Sequence, residues 1–218
     1  MKKEELYRYV DHTALKAFTT WEEIDRLCKE ALLYHMASVC IPGCYIKKVH
    51  EVYPDLSICT VVGFPLGNCN TAAKAAETRQ ALADGAAEID MVINIAEVKN
   101  GNYEAVREEI RLLKEITKEH ILKVIIETCY LNEDEKIAMC QAVTEAGADY
   151  IKTSTGFGTG GAVLSDVKLM KKHIGPNVKI KAAGGIRSQA EMEAMIAAGA
   201  DRIGTSSAIT MLEAGEQR

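Results

Sequence analysis

Three segments of the chain repeat one local pattern in which a helix end leads through a glycine into a short β-type run. They are Ala83-Asp84-Gly85-Ala86-Ala87-Glu88-Ile89-Asp90, Glu145-Ala146-Gly147-Ala148-Asp149-Tyr150-Ile151-Lys152 and Ala197-Ala198-Gly199-Ala200-Asp201-Arg202-Ile203-Gly204. Glycine tolerates the left-handed backbone that closes a helix. A strand then starts at a fixed offset, so the repeat predicts helices that return the chain for parallel strand pairing.

The remainder of the chain follows the same alternation. Eight strands are predicted, over 9–13, 37–41, 57–63, 88–93, 122–128, 150–154, 178–182 and 202–205. Amphipathic helical stretches separate them, over 21–34, 70–83, 103–118, 134–145, 164–173 and 188–198. Caps fit at several starts: Thr20 with Glu23 three residues on, Asn132 before Glu133, and Ser188 before a helix ending near Gly199. No linker rich in proline, serine or one charge interrupts the series. The expected architecture is therefore α/β, a single (β/α)8 barrel over residues 1–218, in preference to an open doubly wound sheet.

Within this frame Asp90, Lys152 and Gly204 each lie five residues past their glycine. Equal offsets from equivalent turns, with side chains alternating faces, point Asp90 and Lys152 to one side of the sheet. Both belong to even-numbered strands, and barrel layers are built from alternate strands. Lys179 and Lys181 flank Ile180 in another predicted strand, and period two places both on one face without choosing between them.

A lysine directed into a sheet interior loses hydration worth several kcal/mol, so it must find a partner or give up its proton. An ordinary strand lysine avoids this by reaching solvent. A neutral lysine is a nucleophile for carbonyls, but at its reference pKa only about one in 2,500 is neutral at pH 7. Burial and a second cation nearby are the means of raising that fraction.

Polar residues are expected at the C-terminal ends of the strands, where barrel enzymes hold their chemistry: Asp11, Asp90, Glu127, Lys152, Lys181 and Ser206. Asp11 also suits an Asx turn and Glu127 a satisfied interior carboxylate. The glycine-rich stretch Gly156 to Gly161 suits an anion-binding nest or a flexible turn. Gly184, Gly185, Ser206 and Ser207 sit in the two last strand-end loops, with a short helix beginning at Ala208, a setting for phosphate.

Other classes are disfavoured. Gly-x-Gly at 156–158 lacks the rest of a dinucleotide fingerprint, and no phosphate-binding Gly-x-x-x-x-Gly-Lys-Ser/Thr is present. A net charge of -5 argues against nucleic acid as a partner. The seven cysteines show no Cys-x-x-Cys spacing, and Cys40 and Cys44 lack paired ligands, so no metal site is expected. They are read as reduced, buried thiols. With no apolar stretch long enough for a bilayer and no signal-like run behind Lys2 and Lys3, a cytoplasmic protein without membrane contact is expected.

The motifs Asp11-His12-Thr13-Ala14-Leu15-Lys16, Ser38-Val39-Cys40, Gly63-Phe64-Pro65-Leu66-Gly67, Glu88-Ile89-Asp90-Met91-Val92-Ile93-Asn94, Lys152-Thr153-Ser154-Thr155-Gly156-Phe157, Lys181-Ala182-Ala183-Gly184-Gly185-Ile186-Arg187 and Gly204-Thr205-Ser206 span the chain. Together they resemble the deoxyribose-phosphate aldolase family of class I aldolases.

The resemblance implies reversible cleavage of 2-deoxy-D-ribose 5-phosphate to D-glyceraldehyde 3-phosphate and acetaldehyde, without metal or organic cofactor. It implies a Schiff base on Lys152, Lys181 as the tuning cation, and Asp90 as proton donor and acceptor. It thereby selects Lys181 over Lys179. The expected binding set is Gly156, Gly184, Gly185, Ser206, Ser207, Thr155, Asp11 and Cys40.

Two segments depart from the family pattern: Ile41-Pro42-Gly43-Cys44 after Cys40, and Ala96-Glu97 at a turn. The partners implied are small phosphosugars and aldehydes, with a homo-oligomer, dimer or tetramer, as the assembly. Other Schiff-base aldolases, transaldolases and a non-catalytic phosphosugar-binding barrel are the competing readings.

Overall fold

The computed structural model describes residues 1–213. Eight parallel strands, β1 Val10–Thr13, β2 Ser38–Ile41, β3 Ile58–Val62, β4 Glu88–Val92, β5 Ile121–Ile125, β6 Tyr150–Lys152, β7 Lys179–Ala183 and β8 Arg202–Thr205, close into a barrel in sequence order. The closure is a direct pairing of β1 with β8, in which Asp11 faces Gly204. This is the (β/α)8 architecture that the alternation predicts.

The helices are α1 Lys3–Tyr7, α2 Trp21–Leu33, α3 Ile46–Val52, α4 Thr71–Ala83, α5 Ile95–Lys99, α6 Tyr103–Thr117, α7 Glu133–Glu145, α8 Leu164–His173, α9 Gln189–Ala197 and α10 Ala208–Glu213. The predicted caps form. Thr20 accepts from the Glu23 amide while Glu23 reaches back to the Thr20 amide, and Asn132 and Ser188 begin their helices in the same reciprocal way. Sequence periodicity does not reveal α1, α3 and α5, because five to seven residues give too few turns for a period to show.

The strands β1 to β6 are all shorter than predicted, and β5 and β6 lose the most at their C-terminal ends, three and two residues. β5 ends at Ile125, since Glu127 adopts a left-handed backbone with φ 51° and turns the chain out of the sheet. β6 stops at Lys152, and the chain beyond it becomes a loop resting on its neighbours.

Outward-facing strand residues such as Ile89, Met91, Ile151 and Ile180 pack beneath the helices against Ile110, Leu113, Met139 and Val143. Each such burial removes enough apolar surface to contribute about 1.5–3 kcal/mol. Between sheet and helices, buried Lys74 of α4 bonds Glu109 of α6 at 2.7 Å and the Val92 carbonyl at 2.8 Å, which pins both helices to the end of β4.

The barrel interior is unusual for its charge. The strand register, advanced by two residues at every second strand as a shear of eight demands, sorts the inward side chains into layers of four. One even-strand layer holds Cys40, Asp90, Lys152 and Gly204. The odd-strand layer below holds Asp11, Cys59, Lys123 and Lys181, and the next holds Ser38, Glu88, Tyr150 and Arg202. Branched aliphatic residues ordinarily fill these positions, so this interior was not selected for packing alone.

Candidate active site

Asp90 and Lys152 meet as their equal offsets from glycine predict. Lys152 Nζ lies 2.7 Å from Asp90 Oδ2, and Lys181 Nζ lies 2.7 Å from the same oxygen. Period two leaves Lys179 and Lys181 equivalent, and depth separates them. Lys179 is exposed at the N-terminal end of β7, with its ammonium 5.7 Å from the Tyr150 ring centre, whereas Lys181 is fully buried.

Lys181 reaches a second carboxylate, Asp11 Oδ2, at 2.5 Å. Asp11 therefore sits in the layer beneath Asp90 instead of at the strand end. It is neither an Asx-turn residue nor exposed to the mouth, and its other oxygen meets Arg202 Nη1 at 2.5 Å. An inward Asp flanked by cations is more stable as a buried counterion than as a turn former.

A third interior lysine was not singled out from the sequence. Lys123 of β5 bonds Asp90 Oδ1 at 3.0 Å, lies 3.8 Å from Asp11 and contacts Glu88 closely. The signal was present, a lysine alternating with Leu122 and Val124 in a β-type run. It falls mid-strand, however, where chemistry is not expected.

The cluster thus gathers three carboxylates, Asp11, Glu88 and Asp90, and four cations, Lys123, Lys152, Lys181 and Arg202. Lys152 has one carboxylate partner, fewer than Lys123 and Lys181, and a side chain 4 % exposed where theirs are fully closed off. It is the amine nearest the mouth.

Burial alone would raise the Asp90 pKa. The Lys123, Lys152 and Lys181 ammoniums together outweigh it and hold the carboxyl well below its usual range. Asp11 is likewise held down against burial by Lys181, Lys123 and Arg202. Burial would lower Lys181, yet Asp11 and Asp90 overcome this and keep its ammonium charged well beyond the usual lysine range. Asp90 is thereby held ionised and Lys181 protonated.

Gly204 has no side chain because none fits: a Cβ there would lie 2.9 Å from Ala183 Cβ and 3.1 Å from Lys181 Cε. Ala183 and the Lys181 stem thus fill the space that a side chain there would take. The loops after β6 and β7 come together above, where a Cβ on Gly161 would lie 2.3 Å from the Gly184 carbonyl oxygen. Gly156, Gly184 and Gly185 all take positive φ, and a Cβ on Gly184 would lie 3.5 Å from Gly156 Cα.

Ser206 is exposed and Ser207 half-buried in the β8 loop, and the Ser207 amide donates to Thr205 Oγ1 at 3.2 Å. Thr155 is placed differently from a free ligand contact. Its amide and hydroxyl both donate to the Glu127 carboxylate, and its hydroxyl oxygen accepts from the Phe157 amide at 3.0 Å. Glu127 is thus a satisfied interior carboxylate that braces the glycine-rich loop.

Cys40 is fully buried in the Lys152 layer beside Cys59, its register partner, and Cys59 donates to Asp90 Oδ1 at 3.1 Å. The seven thiols are free, but they are not uniformly buried. Cys44 is exposed and Cys69 and Cys129 are half-buried, because these three sit in turns after strands and not within them.

A model of the DeoC/LacD family of aldolases matches residues 6–213. The chain belongs to this family. A deoxyribose-phosphate aldolase of Clostridium botulinum is 63 % identical over 99 % of this chain and 98 % of its own, and one of Clostridioides difficile is 54 % identical over 95 % of each. The solved deoxyribose phosphate aldolase of Aeropyrum pernix, described as tetrameric, superposes with a TM-score of 0.92 at 31 % identity, covering 99 % of this chain and 93 % of its own. This DeoC/LacD aldolase is therefore a lyase built on the expected barrel. Among the described residues no helix is long and apolar enough to cross a membrane.

Proposed function

We propose that this aldolase reversibly cleaves 2-deoxy-D-ribose 5-phosphate to D-glyceraldehyde 3-phosphate and acetaldehyde through a Schiff base on Lys152. The observation that carries the reading is the arrangement at Asp90. One carboxylate oxygen serves both an ammonium locked by two carboxylates, Lys181, and the single amine near the mouth, Lys152.

In this scheme neutral Lys152 adds to the C1 carbonyl of the open-chain sugar, and the carbinolamine loses water to give an iminium. The iminium withdraws electrons as the C2–C3 bond breaks. The C3 hydroxyl gives up its proton, glyceraldehyde phosphate leaves, and an enamine remains. Protonation of the enamine and addition of water release acetaldehyde and the free amine. Asp90 accepts protons and Lys181 returns them, roles consistent with the charge states their neighbours impose.

The phosphate is assigned to the β6, β7 and β8 loops, with Gly156, Gly184, Gly185, Ser206 and Ser207 offering backbone amides. Asp11 and Cys40 act from below, through Lys181 and the wall of the Lys152 layer. The working assembly is taken to be a homo-oligomer in the cytoplasm, testable by light scattering on the purified chain.

Borohydride with acetaldehyde should trap an adduct on Lys152, and Lys152→Ala should abolish release of glyceraldehyde phosphate from deoxyribose 5-phosphate while remaining folded. An adduct on another lysine, with Lys152 unmodified, would reject the assignment. A binding-only barrel would retain deoxyribose 5-phosphate without cleaving it.

A further inference from the structure

We infer that Cys40, Cys59 and Asp90 form a site for a thiophilic divalent cation of the zinc and cadmium type, and that its occupation shuts down the aldolase. No sequence spacing signals it, since Cys59 lies nineteen positions beyond Cys40 and Asp90 thirty-one beyond Cys59. Adjacent barrel strands bring them together. Cys40 and Cys59 are register partners on β2 and β3, and one ligand atom from each of the three residues lies within 4.8 Å of the others.

The donor set suits such an ion. Thiolate sulfur binds zinc at about 2.3 Å and carboxylate oxygen at about 2.0–2.2 Å, so a tetrahedral site needs donors roughly 3.5–3.8 Å apart. Cys59 Sγ and Asp90 Oδ1 are already 3.1 Å apart. The fourth position would face the opening of the barrel, and the next inward residue of β3, Val61, is itself partly exposed.

The surrounding lysines do not forbid a dication. The thiols each lose a proton on binding, so the metal replaces two protons and the net charge of the cluster is unchanged.

The geometry also gives the consequence. Lys152 and Lys181 use Asp90 Oδ2, whereas Cys59 and Lys123 use Oδ1. A metal on Oδ1 displaces Lys123 and draws carboxylate charge away from the oxygen that serves the two lysines. Asp90 would then be a poorer proton acceptor even with Lys152 untouched.

The test uses the full chain reduced with a phosphine, titrated with Cd2+ and read by ultraviolet thiolate-to-metal absorption. One equivalent should bind, with intensity for two thiolates per ion. Cys59→Ser should weaken binding by more than the about 10–100-fold typical of losing an outer-shell partner, whereas Cys44→Ser, which alters an exposed thiol outside the cluster, should leave the band intact.

No band in the wild type, intensity for a single thiolate, or a band lost in Cys44→Ser would overturn the site. The wild-type stoichiometry needs no variant to fold. Inhibition rests on the proposed aldol reaction, and it should rise in step with the band and reverse with a chelator. Binding is read without substrate, so failure of the site and failure of the reaction assignment are separate results. A full band with undiminished turnover would overturn the inhibitory role.

Discussion

Lys152 and Lys181 are register partners on adjacent strands, and both ammonium nitrogens lie 2.7 Å from one oxygen, Asp90 Oδ2. Two cations converge on one fully buried acceptor. Such an arrangement is tolerable only while the acceptor keeps its charge.

Asp90→Asn removes that charge but keeps the shape. With three lysines left beside a neutral amide, turnover should fall by about 10²–10⁴-fold, the range associated with losing a positioned acid–base group. Breaking a buried ion pair from one side should also cost about 3–5 kcal/mol of stability. Steady-state kinetics with urea unfolding checks both, and a variant with wild-type turnover would remove Asp90 from the chemistry.

The pH dependence of stability follows from the same cluster. Asp11 has its carboxyl pKa depressed in the folded state. Its contribution is therefore complete above the unfolded value of about 3.9 and is lost as pH falls from there toward the folded value. Lys181 is raised, so its contribution is complete below about 10.4 and fades only as pH rises through the folded value. Urea midpoints should drop steeply below about pH 4, and Asp11→Asn should be weaker at neutral pH with a shallower acid slope. Equal slopes in the two proteins would show that Asp11 is not a linked group.

Much of this was legible beforehand for a physical reason. A glycine at a helix end fixes where the next strand begins, and period two then fixes the face, so Asp90, Lys152 and Gly204 fall into one layer by counting alone. Counting along one strand cannot report what lies across the barrel. Lys123, Glu88 and Arg202 are unremarkable in sequence, and only closure of the sheet makes them a charge cluster. The turn at Glu127 was hidden because its left-handed backbone is set by contacts to a loop twenty-eight residues away. Family resemblance chose Lys181, and depth in the barrel explains the choice.

Lys123 provides a test of the charge network that is independent of Schiff-base chemistry. Lys123→Met should destabilise the fold by about 3–5 kcal/mol, because Glu88 and Asp90 each lose a buried partner. Adding Glu88→Gln should restore part of the loss, since Arg202 remains for Asp11. A double-mutant cycle by urea unfolding measures the coupling. Simple additivity would mean that Lys123 and Glu88 do not act as a pair.

Glu127 provides a test that separates the proposed phosphate binding from the proposed imine formation. Its backbone is left-handed at φ 51°, a conformation that costs a non-glycine residue of order 1–3 kcal/mol and persists where surroundings over-determine it. Its carboxylate holds the Thr155 amide and hydroxyl, and Thr155 in turn holds the Phe157 amide. A Cβ on Gly158 would come within 3.1 Å of Glu127 Cδ, so the loop is seated directly on this side chain. Glu127→Ala unseats the loop while leaving Lys152, Asp90 and Lys181 in place. KM for deoxyribose 5-phosphate should rise roughly tenfold, the equivalent of about 1.4 kcal/mol, whereas borohydride trapping of acetaldehyde on Lys152 should continue at near the wild-type rate. Glu127→Gln, which can still accept from the amide and hydroxyl, should fall between the two. If trapping and KM deteriorate together, the β6 loop positions the amine as well as the phosphate, and the two functions are not separable at this residue.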